Sequence, residues 1–219
     1  MKPYRAIIFD MDGVIVDSEP LHKEAFHDVL EELGYGRDLA RLGLDFADYV
    51  GRSDFVLWQD FVVRHQPAIA MADLVALKRR RVVEMIRRLT PLFAGLVELV
   101  EALAPRGPLA VASGSERAVI DAVLALDDLR RHFAVIVSAS EVTHGKPAPD
   151  IFLLAAERLG VGSADCVVIE DSKPGVAAGL AAGMQVIAIT NTHPANELGQ
   201  AHHIVADYAH LRRLLLQAS

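Results

Sequence analysis

Six short apolar runs recur along the chain: YRAIIF (4–9), PLAVA (108–112), AVIV (134–137), CVVI (166–169), QVIAI (185–189) and HIVA (203–206). Each is nearly continuous in apolar residues instead of alternating, the pattern of a strand buried on both faces. Between most of them lie stretches with helical spacing, ERAVIDAVLAL (116–126), PDIFLLAAERLG (149–160) and GVAAGLAAG (175–183). Ser172 followed by Pro174 reads as a helix start, and Gly160 and Gly183 stand where helices should stop. Strands alternating with helices predict an α/β fold: a doubly wound, Rossmann-like parallel sheet with helices on both faces.

The alternation breaks once. From about Pro20 to Thr90 every periodic segment is helical: LHKEAFHDVLEELG, DFVLWQDFVVRH and MADLVALKRRRVVEMIRRL. About seventy residues is too long for one crossover. An all-helical domain inserted at 19–89 is the expected reading, with the core built from 1–18 and 90–219.

Composition narrows the function classes. The 219 residues are 52% hydrophobic and 23% charged, enough for a sizeable core. Asp and Glu outnumber Lys and Arg 29 to 22, and the net charge of −7 argues against nucleic acid as a partner. The basic cluster LKRRR (77–81) reads as a solvated helix face. Cys166, the single cysteine, sits in an apolar run and allows no internal disulfide, which fits a cytoplasmic protein. The first residues hold no adequate apolar region for a cleaved signal peptide. The weakly polar run 175–189 is too short and Gly-interrupted to span a bilayer, so no membrane partner is expected. The oligomeric state stays open, a monomer among the options.

Four polar clusters follow strands: Asp10-Met11-Asp12-Gly13, Ser113-Gly114-Ser115, Gly145-Lys146-Pro147 and Glu170-Asp171-Ser172. Each alone has an ordinary reading as a turn, a loop or a helix start. Open parallel sheets, however, bind ligands at the carboxyl ends of their strands, and neighbouring strands would bring all four to one crevice. Carboxylates from Asp10, Asp12, Glu170 and Asp171 would repel one another by about 4 kcal/mol per 4 Å pair at an effective dielectric of 20. A cation relieves this. Oxygen donors without Cys or His point to a hard ion, foremost Mg2+. A Ser-Gly-Ser turn at a helix start and Lys146 opposite suit a phosphoryl group. The GKP at 145–147 is not a Walker loop, lacking the upstream glycine and the following Ser or Thr.

FDMDGVIVDSEPLH, VASGSE, GKPAPDIF and VIEDSKPGV together resemble the four motifs of the haloacid dehalogenase-like hydrolases, in order and spacing from Ala6 to about Ile189. The branch with β-phosphoglucomutase and related sugar phosphatases is most similar, since its helical cap is inserted after the first motif. The resemblance implies that Asp10 is a nucleophile forming an aspartyl-phosphate. It implies that Asp12 protonates the leaving alkoxide and then activates water. Magnesium would be held by Asp10, the Asp12 carbonyl and Asp171, with Glu170 assisting. Ser113, with Gly114 and Ser115, and Lys146 would bind the phosphoryl oxygens. Met11 receives no chemical role. Asp12 favours phosphate esters over dehalogenation, because halide leaves without a proton whereas an alkoxide does not.

The expected activity is therefore hydrolysis of a small phosphorylated metabolite, foremost a sugar phosphate. A β-phosphoglucomutase-like mutase and a receiver-like regulatory module are the alternatives, and receivers carry no helical insert. In the cap, His22 and Lys78 lie where the mutases carry a histidine and a lysine, Glu19 stands beside the hinge, and Gly51-Arg52-Ser53 occupies the loop expected to face the site. These six are the expected substrate contacts in the cap. The mutase pattern also has a Lys just before the loop glycine and an Arg three residues after it. Here Val50 and Asp54 stand there, which favours hydrolysis, although Arg52 could compensate from a shifted position.

Overall fold

The apolar runs form a six-stranded parallel sheet in the order β3-β2-β1-β4-β5-β6. The strands are β1 (Ala6–Phe9), β2 (Leu109–Ser113), β3 (Phe133–Ser138), β4 (Cys166–Glu170), β5 (Gln185–Ile189) and β6 (His203–Val205). The computed structural model describes residues 1–45 and 54–217, of Asp54 and Phe55 the backbone only. All four residues of β1 are buried, and both parities find a core. Ala6 and Ile8 join an apolar cluster with Phe152, Val168 and Val186, while Phe9 meets Phe133 edge-on at 5.7 Å. That two-sided burial is why these strands do not alternate.

The strand order reverses direction at β1, which lies between β2 and β4. This is the crevice where an open α/β sheet receives its ligand.

Residues 1–17 with 91–219 make one compact unit and 18–90 another. The first carries, besides the sheet, α4 (Leu96–Leu103), α5 (Arg117–Leu124), α6 (Asp150–Leu159), α7 (Lys173–Ala181) and α8 (Tyr208–Gln217). The Ser172 hydroxyl caps α7 by accepting from Gly175 N at 3.2 Å, and Gly160 closes α6 in the left-handed region, at φ 67°. Helices α4 and α8 had no counterpart among the periodic stretches read from the sequence.

The second unit consists of α1 (Glu19–Glu32), α2 (Asp54–His65) and α3 (Met71–Leu89). Its core gathers Phe26, Leu30, Trp58, Phe61 and Leu74, with the Phe26 and Trp58 rings 4.5 Å apart. The LKRRR segment is only in part a solvated face. Arg80 is exposed, but Lys78 is 1% exposed, because 74, 78 and 82 recur at the four-residue spacing of the buried stripe of α3. Among the described residues no helix is long and apolar enough to cross a membrane.

Candidate active site

Three neighbouring strands end in the polar clusters. β1 leads directly into Asp10, β2 ends on Ser113, and β4 ends on Glu170 followed by Asp171. Lys146 arrives on the segment between β3 and α6, and its ammonium bonds Asp10 Oδ1 at 2.6 Å and Glu170 Oε1 at 2.7 Å. Carboxylate oxygens of Asp10, Glu170 and Asp171 lie within 4.8 Å of one another, and all three residues are buried.

Each acid is gripped differently. Glu170 Oε2 accepts from Asp171 N at 2.8 Å, Ser172 N at 3.0 Å and Ser172 Oγ at 3.0 Å, so the start of α7 folds around it. Asp171 Oδ2 accepts from Thr192 Oγ1, and His193 Nδ1 lies 3.1 Å from the Asp171 carbonyl. Asp12 Oδ2 accepts from Ser113 Oγ at 3.1 Å and Ser115 Oγ at 2.8 Å. Ser115 N in turn donates to Ser113 Oγ at 3.0 Å, curling the Ser113-Gly114-Ser115 turn on itself.

Burial dominates the electrostatics. It pushes the Asp10 carboxyl up to about 7; Lys146 opposes the rise, and Glu170 and Asp12 add to it. Burial raises Asp171 as well, with Glu170 and Asp10 reinforcing it. Burial alone would lower Lys146, but Asp10 and Glu170 outweigh it and hold the ammonium protonated. Three carboxylates ionised together against one ammonium would carry two uncompensated negative charges in a buried cluster of oxygen donors, which is why burial holds protons on the acids unless a cation takes their place. That donor set and charge fit a hard divalent cation.

The first-motif turn is itself unusual. Val14, Ile15 and Val16 all direct their N–H groups at the Met11 carbonyl, and Gly13 N bonds Val16 O at 2.9 Å. Gly13 takes φ +77°, and a Cβ there would lie 1.9 Å from Asp171 Oδ2. Glycine is required on both counts. Met11, fully buried, thus has a structural role that its sequence position did not disclose.

A family model described as haloacid dehalogenase-like hydrolase matches residues 4–183. The chain belongs to that family. The fructose-1-phosphate phosphatase YqaB of Escherichia coli (strain K12) is 38% identical over 188 residues, covering 85% of this chain and 96% of the relative. Hexitol phosphatase B of the same organism is 34% identical over 196 residues, covering 88% and 86%. The crystal structure of a β-phosphoglucomutase from Clostridium difficile, 22% identical, shares the fold, with a TM-score of 0.80 over 98% of this chain and 96% of that one. As a member of this family the chain is a phosphoric monoester hydrolase.

In this haloacid dehalogenase-like phosphatase the core motifs meet at one end of the sheet: Asp10, Asp12, Ser113, Gly114, Ser115, Lys146, Glu170 and Asp171. The inserted unit brings His22 and Lys78 together, Lys78 Nζ lying 3.0 Å from His22 Nδ1, and Glu19 opens α1. Gly51, Arg52 and Ser53, like Val50, lie outside the described residues.

Sequence reasoning overlooked Asn191, Thr192 and His193. They follow β5, so the rule that exposed the other clusters, a polar run at a strand's carboxyl end, was available for them too.

Proposed function

We propose that this phosphatase hydrolyses a small sugar or sugar-alcohol phosphate in a magnesium-dependent reaction through an aspartyl-phosphate on Asp10. The observation that carries the reading is the buried group of Asp10, Glu170 and Asp171, the first two bonded to Lys146, beside the two serines that hold Asp12. The relatives named for fructose 1-phosphate and hexitol phosphates support the substrate class.

Asp10 and Asp171, with the Asp12 carbonyl, are the residues to hold magnesium, and Glu170 supports them by fixing Lys146 and the start of α7. When bound, the ion supplies charge neutralisation for the phosphoryl oxygens and the acids. Lys146 and the Ser113-Gly114-Ser115 turn bind phosphoryl oxygens and keep the group in line with Asp10. Asp10 attacks phosphorus; the P–O bond to the sugar breaks as Asp12 gives its proton to the departing oxygen. The Asp12 carboxylate then takes a proton from water as the water attacks phosphorus, and inorganic phosphate leaves. The helical unit acts as a cap that excludes bulk water and selects the alcohol, with Glu19, His22 and Arg52 as substrate contacts and the buried Lys78 supporting His22 from within the unit.

The test is a turnover panel of fructose 1-phosphate, hexitol phosphates, nucleotides and small phosphorylated acids, with magnesium and with a chelator. Sugar phosphates should be preferred, activity should vanish in chelator and return with magnesium, and Asp10→Asn should be inactive yet folded. Unchanged hydrolysis in chelator, or a wild-type rate for Asp10→Asn, overturns the mechanism.

A further inference from the structure

We propose that Asn191 and Tyr208 form a positioning pair that fixes the turn after Asp12 and so aims its carboxyl group at the leaving oxygen. The proposal rests on the acid role of Asp12 given above. It comes from a hydrogen-bonded chain that no motif contains. Asn191 Nδ2 donates to the Gly13 carbonyl at 2.7 Å and to Tyr208 Oη at 3.0 Å, and Tyr208 Oη donates to the Val14 carbonyl. The amide gives two hydrogens, and the phenol accepts one and gives one. Every link has a donor and an acceptor.

The turn needs such a clamp. Its amides are used within it, Gly13 N on Val16 O and the next three on Met11 O. The carbonyls of Gly13 and Val14 are not part of that pattern. Gly13, forced to φ +77° and barred from carrying a Cβ by Asp171, has no side chain with which to resist rotation. Asn191 and Tyr208 lock these two successive peptides immediately beyond Asp12. Serines 113 and 115 hold the Asp12 carboxylate from the other end.

Tyr208 is also braced against the segment returning from the inserted helices. Its ring stacks on Phe93 at 5.9 Å and 25°, and a Cβ on Gly95 would lie 3.2 Å from its own Cβ. Phe93 N bonds Ile15 O at 3.4 Å, Asp17 N bonds Pro91 O at 2.9 Å, and Val16 pairs with Leu92. One side chain therefore touches both the outgoing and the returning segment, its hydroxyl on one and its ring on the other. A tyrosine present only to fill the core would need the ring and not this hydroxyl chain.

The experiment compares wild type, Tyr208→Phe, Asn191→Ala, the double variant and Asp12→Ala, with magnesium. It reads kcat/KM on fructose 1-phosphate and 4-nitrophenyl phosphate, inhibition by inorganic phosphate, and thermal unfolding. kcat/KM reports the steps through departure of the alcohol. A misaimed acid therefore slows the poor alkoxide more than the good phenolate. We expect Tyr208→Phe, which keeps the ring, to lose roughly tenfold on fructose 1-phosphate and less than about threefold on the aryl ester, part of what acid catalysis supplies. Inhibition by phosphate should be unchanged. Asn191→Ala, half-buried after β5, should show the same selectivity even if Tyr208→Phe unfolds early. The double variant should be little worse than either, because both act on one turn. Wild-type kcat/KM in both single variants with only a lower melting temperature, or equal losses on both esters, overturns the positioning role. A wild-type rate for Asp12→Ala on fructose 1-phosphate would overturn the acid role itself, and the pair's purpose with it.

Discussion

Gly175→Ala sets two effects of opposite sign against each other. Gly175 is the third residue of α7, and alanine in a helix interior is favoured over glycine by about 1 kcal/mol. A Cβ there, however, would lie 1.6 Å from Glu170 Oε1, 1.8 Å from its Cδ and 2.3 Å from Oε2. The end of a flexible side chain usually swings aside at little cost. Glu170 cannot, because it is fully buried and its carboxylate accepts from Asp171 N, Ser172 N, Ser172 Oγ and Lys146 Nζ. Hydrogen bonds to charged groups contribute about 1.5–3 kcal/mol each. Losing two costs about 3–6 kcal/mol, so the variant should be destabilised by about 2–5 kcal/mol net of the helix term. Urea unfolding followed by far-UV circular dichroism measures this; tryptophan fluorescence would not, since Trp58, the single tryptophan, sits in the helical unit. The control is the same substitution in a Glu170→Ala background, where the space is free and the helix preference should return about 1 kcal/mol. An alanine variant as stable as wild type, or an equal penalty in both backgrounds, would refute the steric account.

Asp12→Ala should lower the rate on fructose 1-phosphate by about 10²–10⁴ and the phosphorylation burst on an aryl phosphate by much less; equal losses would deny it the proton transfer. Burial, aided by Asp165, pushes the Cys166 thiol up to about 11 from its ordinary 9.0. An acid raised in the folded state keeps its proton where the unfolded chain loses it, so this contribution to stability is complete below about pH 9 and lost as pH climbs toward 11. Labelling by a disulfide reagent at pH 8 should require unfolding, and rapid labelling of the native protein would contradict the buried thiol.

The sheet was legible because continuous apolar runs have few other meanings, and β5 (185–189) is read without a residue's error. Helix α8 was legible in principle: Tyr208, Leu211 and Leu215 are its buried face, spaced by three and four. It escaped notice because it does not lie between two of the apolar runs, so no crossover demanded a helix there. Lys78 misled through its neighbours. Three arginines follow it, yet its four-residue offsets from Leu74 and Val82 place it on the apolar stripe, and periodicity was the better guide. The motif residues were visible because they end strands. Glu170's attachment to the start of α7 was not, because a carboxylate says nothing of which donors will surround it. Asn191 and Tyr208 lie 178 and 194 residues from the carbonyls they hold, and no spacing rule connects them.

That separation says something about how the site is assembled. Strand ends deliver the charged groups, but a strand end leaves the following turn free, and the turn after β1 carries both Asp12 and the exit toward the inserted helices. The clamp on it comes from the last elements of the chain: β5 leads to Asn191, and α8, anchored by Leu211 and Leu215 and packed on α4 and β6, presents Tyr208 at its first position. A side chain at the start of a helix packed on two other elements has little freedom to drift, and Tyr208 in turn steadies Asn191 on its loop by accepting from the amide. The C-terminal helix is therefore part of the active site's scaffold, and the tolerance of that site to change should depend on packing at Leu211 and Leu215 as well as on the motifs themselves.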